Sequence, residues 1–257
     1  MGAAAVAARI PLRKAARSRS TAGALAFDRT GGPLVAVCGL AGGAGTTTLA
    51  LMLARKAAAE SSAPVLLTEL ASDTGGLAAA TGRAGPVSLA ALARCVADGE
   101  VPQETFVELA PRLRLIATAP TTHTPPDPEV LRALLEQARA AHGLTIIDCG
   151  TDPAAARAVS RHASHVVWTM PATPAGVSRA RGLLASDVVP PPGGAREVLA
   201  AVASDCRPNV RVRALRQLAR SRCDQVVLIP HSRALDPSDH GIAAALTALA
   251  TTLRSAP

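Results

Sequence analysis

The chain has 257 residues, 49% of them apolar, and a formal net charge of +8, which fits one α/β domain with a basic tail. Its only aromatic residues are Phe27, Phe106 and Trp168, with no Tyr, which argues against a base-stacking surface for single-stranded nucleic acid. No apolar run reaches the roughly 18 residues that a membrane span needs, and the short N-terminal apolar stretch with no charge ahead of it does not read as a secretory signal.

Residues 1–32 are rich in Ala, Arg and Ser without clean periodicity. Arg9, Arg13, Lys14, Arg17 and Arg19 precede the first acid there, so this segment reads as a basic, disordered tail. The domain is expected over 33–257. From Pro33 onward apolar strands alternate with Ala/Leu-rich helices, the pattern of a parallel sheet covered on both faces. Strands are predicted at Leu34–Cys38, Val65–Glu69, Leu113–Thr118, Leu144–Cys149, His165–Thr169, Val198–Ala203 and Val226–Ile229. Helices are predicted near Thr47–Ala59, Leu89–Ala97, Pro128–Ala141, Pro153–His162, Pro174–Ser186, Val212–Ser221 and Gly241–Leu253. The pairs Asp127-Pro128 and Asp152-Pro153 suit an N-cap followed by the first helical position. Ala119–Pro128 and Val189–Gly194 are proline-rich and read as loops.

The first strand runs into Gly42-Gly43-Ala44-Gly45, and Thr46, Thr47 and Thr48 then open an apolar helix. Glycines let backbone N–H groups converge on an anion, and a helix N-terminus adds partial positive charge. The standard phosphate loop, G-x-x-x-x-G-K-[ST], adds a Lys for the β/γ-phosphates and a hydroxyl for Mg²⁺. Here Thr46 stands at the Lys position, Thr47 at the hydroxyl position and Leu40 at the first Gly. The alternative is a glycine-rich strand-to-helix turn that holds no ligand. Asp148, at the end of the apolar run LTIID, has the Walker B placement of an acid that holds the Mg²⁺ shell.

The order of these segments resembles the ParA/MinD family of P-loop ATPases, most closely the divergent TadZ/CpaE-type branch of pilus-assembly positioning proteins. The resemblance implies a doubly wound, mostly parallel sheet with helices on both faces. The family loop reads K-G-G-x-G-K-[ST]-[ST]. Gly42, Gly43 and Gly45 match its glycines, and Thr47 and Thr48 its hydroxyls. Ala41 and Thr46 replace its two lysines, the first of which crosses a dimer interface in the family. Glu69 matches the first acid of the family's D-x-D-P strand end, and Ala71 replaces the second. Asp148 matches the Walker B acid.

The resemblance therefore implies ATP or ADP with Mg²⁺ bound weakly through Gly42, Gly43, Ala44, Gly45, Thr46, Thr47 and Thr48. Thr47 and Asp148 would serve the metal, and Glu69 and Asp73 would line a switch-like loop. Hydrolysis is expected to be weak or absent, because a cation on the transferring phosphoryl group contributes about 10³–10⁵ in rate. Arg55 and Lys56 lie too far along the helix to substitute. The expected role is positioning or regulating a larger assembly, such as pilus or secretion machinery or a partition complex. It would act as a homodimer or with a hetero-partner, in the cytoplasm or at the periphery of the membrane or nucleoid. Two alternatives stay open: an active ATPase completed by a partner's cation, and a nonspecific DNA-binding protein.

Arg207, Arg211, Arg213, Arg216, Arg220 and Arg222 fall in a segment without acids. They read either as a contact for DNA or an anionic membrane, with salt-dependent binding, or as a solvated helix face. The stripe Ile242, Leu246, Leu249 and Leu253 lacks a cationic opposite face and reads as core packing rather than a membrane helix. The five cysteines show no C-x-x-C spacing and read as reduced, mostly buried thiols, with a redox role for Cys38 and Cys149 as the lesser reading. The six histidines do not fall at metal-ligand spacing.

Overall fold

The computed structural model describes residues 10–11, 31–71, 75–98, 105–119, 126–190, 194–203, 210–220, 222–231 and 240–254. The strands are β1 Ile10–Pro11, β2 Leu34–Gly39, β3 Val65–Glu69, β4 Val107–Ala110, β5 Leu113–Ile116, β6 Leu144–Asp148, β7 His165–Pro171, β8 Arg196–Val202 and β9 Gln225–Ile229. The helices are α1 Thr46–Glu60, α2 Gly76–Thr81, α3 Leu89–Ala97, α4 Pro128–Ala141, α5 Pro153–Ser160, α6 Pro174–Leu184, α7 Val212–Ala219 and α8 His240–Arg254.

The strands form one sheet in the order β1-β9-β8-β7-β2-β6-β3-β5-β4. From β9 through β5 every neighbouring pair is parallel. Antiparallel β4 and β1 close the two edges. Side chains of β2 alternate between two cores. Leu34, Ala36 and Cys38 pack with α3, α4, α5, α6 and α7, whereas Val35 and Val37 pack with α1, α2 and α8. Both faces are thus covered, which is why these strands are apolar without interruption. The chain is the doubly wound α/β fold expected from the sequence.

Helix starts follow local chemistry. Asp127 accepts from the N–H groups of Glu129 and Val130, and Asp152 from that of Ala154, each just before a proline. Thr173 and Ser88 cap α6 and α3 in the same way. The stripe Ile242, Leu246, Leu249 and Leu253 is buried in the α1 face of the core, as core packing requires.

Three described elements were not expected: β1, β4 and α2. Strand β4 pairs with β5 across the turn Pro111-Arg112, where Arg112 takes φ 67°; four residues with a mixed pattern give too short a signal. Helix α2 depends on a distant carboxylate, shown below. Of the expected tail, only Ile10–Pro11, paired with Val226 and Gln225, and Gly31 and Gly32 are described. Gly32 donates to Arg139 O at 2.9 Å, and Arg139 Nε donates back to Gly32 O at 3.0 Å.

Candidate functional site

Strand β2 is central, between β7 and β6. Its successor β3 lies to one side and the β6-to-β7 crossover passes to the other, so the C-terminal end of β2 stands at the switch point where open α/β sheets bind ligands. The loop that leaves it is held at its root. Gly39 N–H donates to Gly150 O at 2.6 Å and Leu40 N–H to Thr169 O at 2.8 Å. Gly43 and Gly45 take φ of 70° and 72°, a left-handed geometry that glycine adopts at little cost. Gly45 stands directly before α1 without a side-chain cap. Among the described residues, the N–H groups of Gly43, Gly45 and Thr47 meet no acceptor.

Thr46, at the lysine position, is buried, and its Oγ1 lies 2.7 Å from Thr169 Oγ1. Its hydroxyl therefore serves the underside of the loop, and only its backbone N–H is left for an anion. Ala44 is also buried. Gly42 and Gly43 are exposed, and Thr47 and Thr48 half-buried.

The predicted metal residues come together. The Thr47 hydroxyl donates to the Asp148 carboxylate, and Asp148 Oδ1 also accepts from Gly150 N–H at 2.9 Å. Asp148 and Glu69 are register partners on β6 and β3. Burial raises both carboxyls above their ordinary range, opposed by these hydrogen bonds, and at Glu69 the Asp148 charge adds to the rise. Glu69 is turned onto the start of α2: Oε1 accepts from Gly75 N–H at 2.9 Å and Oε2 from Leu77 N–H at 3.1 Å. It anchors α2 through backbone donors that sequence spacing does not reveal. Asp73 lies outside the described residues. The donor set fits a phosphate with a hydrated divalent cation: free amides at a helix start beside a hydroxyl–carboxylate pair.

Two clefts flank the loop. One, of about 240 Å³, is mainly apolar and is lined by Gly45, Thr48, Met52, Val202, Pro230 and Ile242 among others. The other, of about 170 Å³, is lined by Gly39, Ala41, Gly42, Asp152, Trp168 and Arg179 among others.

Arg222 corrects the reading of 207–222 as a uniformly solvated or ligand-facing basic stretch. It is buried, with Nε 2.6 Å from Glu197 Oε2 and its guanidinium 5.0 Å from the Trp168 ring centroid. Its Nη2 also donates to Pro190 O, and Trp168 Nε1 donates to Glu197 Oε2 at 3.0 Å. Arg211, Arg213, Arg216 and Arg220 are exposed around α7, whose Leu215 and Leu218 are buried. Arg207 lies outside the described residues. Cys38, Cys149 and Cys223 are buried thiols. Cys149 touches Cys38, and that contact together with burial pushes its thiol pKa up, away from the reactive thiolate.

No protein-family model matches the chain, and neither does any curated protein. Solved structures do. A ParA family ATPase from Chlorobium tepidum is similar at 18% identity and a TM-score of 0.64, over 88% of this chain and 94% of that one. The ATP complex of a substituted McdA from Cyanothece is similar at 15% identity and 0.62, over 89% and 99%. The cell-division ATPase MinD of Pyrococcus furiosus is similar at 13% identity and 0.61, over 87% and 100%. At such identities the likeness is one of fold: the chain folds as the ParA/MinD-type P-loop ATPases do.

Proposed function

We propose that this protein binds a nucleoside triphosphate or diphosphate with Mg²⁺ through the β2–α1 loop, hydrolyses it weakly or not at all, and acts by positioning or regulating a larger assembly. The observation that carries this reading is the loop itself. It keeps two left-handed glycines and open amides at the start of α1, while its lysine position holds a threonine bonded to Thr169. Phosphate oxygens would take the amides of Gly43, Gly45 and Thr47. The base would fill the apolar cleft beside Thr48 and Pro230. Mg²⁺, when bound, neutralises phosphate charge; Thr47 and Asp148 are the residues to hold it. The complexes of McdA with ATP and of Pyrococcus horikoshii MinD with Mg-ADP support the ligand class.

Loss of one charge-assisted contact costs roughly 1.5–3 kcal/mol, or about 10- to 100-fold in affinity, which leaves binding measurable. The assembly served is a pilus, secretion or partition system by resemblance. Calorimetric titration with Mg-ATP tests the reading, with Gly45→Val as the control: a Cβ at Gly45 sits at φ 72° and 3.5 Å from Val202. Binding abolished by that substitution supports the reading, and no binding up to millimolar ATP overturns it. Turnover above about 1 per minute, well beyond unassisted GTPase-like rates, would overturn the weak-hydrolysis part.

A second reading rests on the exposed arginines of α7. Arg211, Arg213, Arg216 and Arg220 carry no ion pair among the described residues, which favours contact with DNA or an anionic membrane. Retention on duplex DNA that falls steeply with salt, and is lost on replacing Arg211, Arg213 and Arg216 with Ala, would support it.

A further inference from the structure

The loop has no lysine to meet a phosphate, and the carboxylates of Asp148 and Glu69 stand close by. A helix start supplies only about half a positive charge and Mg²⁺ would stand at Thr47 and Asp148, so the phosphates there still lack a protein cation in the place of the loop's lysine. Helix α1 does not provide one: Lys56 lies beyond its second turn and is paired with Glu60 at 2.6 Å. The 170 Å³ cleft does. Its walls are the first half of the loop, Gly39 through Gly42, and the turn Gly150–Pro153 that follows Asp148. Arg179 of α6 is the sole basic side chain among the described residues that line it.

Several observations make Arg179 suited to the task. Arg179 and Leu183 are four residues apart on α6 and both line the cleft, as expected for one helix face. Val177 and Ala180 anchor that helix in the core, so the backbone at Arg179 is fixed while the residue itself is exposed. Arg179 makes no hydrogen bond or ion pair among the described residues. The apolar cleft lies on the Gly45 and Thr48 side of the loop and this one on the Ala41 and Gly42 side. A nucleotide with its base in the former therefore sends its terminal phosphates toward the latter.

We infer that Arg179 is the protein cation of this site: its guanidinium contacts the terminal phosphates of the bound nucleotide where the loop's own lysine is missing. The inference rests on the phosphate-loop reading above. A guanidinium offers a planar fork that suits phosphate oxygens, and it reaches them from the opposite wall rather than from the loop.

Calorimetric titration of the full chain with Mg-ATP and Mg-ADP tests this in the wild type, Arg179→Ala, Arg179→Lys and Arg181→Ala, with melting temperature measured alongside. Arg179→Ala is expected to weaken Mg-ATP binding about 10- to 100-fold. Arg179→Lys restores part of it, Arg181→Ala matches the wild type, and no melting temperature changes. Wild-type affinity in Arg179→Ala, with binding still abolished by Gly45→Val, overturns the role of Arg179 alone. No wild-type binding up to millimolar ATP overturns the phosphate-loop reading, and this inference with it.

Discussion

The hydroxyls of Thr46 and Thr169 lie 2.7 Å apart, joining residues 123 positions apart in the chain. Thr46 opens α1 and Thr169 lies within β7, and both are buried. Thr169 Oγ1 also reaches Cys38 O at 3.4 Å. The residue that carries the lysine in a standard phosphate loop is here a strut between the loop and the sheet.

Replacing Thr46 with Val removes that strut and leaves Thr169 with one long hydrogen bond. The expected loss of stability is about 1–3 kcal/mol, the cost of an unsatisfied buried hydroxyl, and chemical denaturation measures it. Thr46→Lys is expected to lose similar stability yet gain nucleotide affinity of about 10-fold, as a charged partner is restored. Titration of both variants separates the two effects.

Gly39 is a second point of close approach. A Cβ there would lie 2.5 Å from Thr46 Oγ1 and 3.0 Å from Gly150 O. Gly39→Ala therefore has to displace the Thr46 hydroxyl or the turn after Asp148. A loss of about 1–3 kcal/mol is expected, as for overpacking. Combined with Thr46→Val, the loss should be less than the sum of the two single losses, because both act on the same contact.

Asp148 and Glu69 predict the direction of pH dependence. Burial raises both carboxyls above their ordinary values of 3.8 and 4.5. The unfolded chain therefore ionises first as pH climbs, the folded chain holds more protons, and stability falls with rising pH. The fall begins at about pH 4 and ends once the folded carboxyls have also ionised. Glu69→Gln and Asp148→Asn should each flatten this slope in denaturation curves taken from acid to neutral pH. A wild-type slope that neither substitution changes would contradict the assignment.

The Arg222–Glu197 pair is buried and shares its carboxylate with Trp168 Nε1. Arg222→Ala strands that carboxylate and is expected to cost about 3–5 kcal/mol. Arg222→Met with Glu197→Gln should recover a large part of it, read by denaturant titration. Arg216→Ala, at an exposed position of α7, should stay within about 0.5 kcal/mol of the wild type.

The amino-acid sequence by itself determined the doubly wound sheet, the glycine loop at the end of β2, and the Asp-Pro helix starts. These depend on local matters: continuous apolar runs for strands buried on both faces, and residues whose backbone preferences act within a few positions. It also singled out Thr47, by the hydroxyl position of the glycine loop, and Asp148, by its place at the end of an apolar strand; the hydrogen bond between them came with the tertiary structure. Only the tertiary structure decided where the polar groups spend their hydrogen bonds. Thr46 turns to Thr169, Glu69 anchors α2, Arg222 is drawn into the core under Trp168, and Arg179 comes to the wall facing the loop. Each of these placements brings separate elements together, and side-chain direction across such a gap is set by packing rather than by any local pattern of residues.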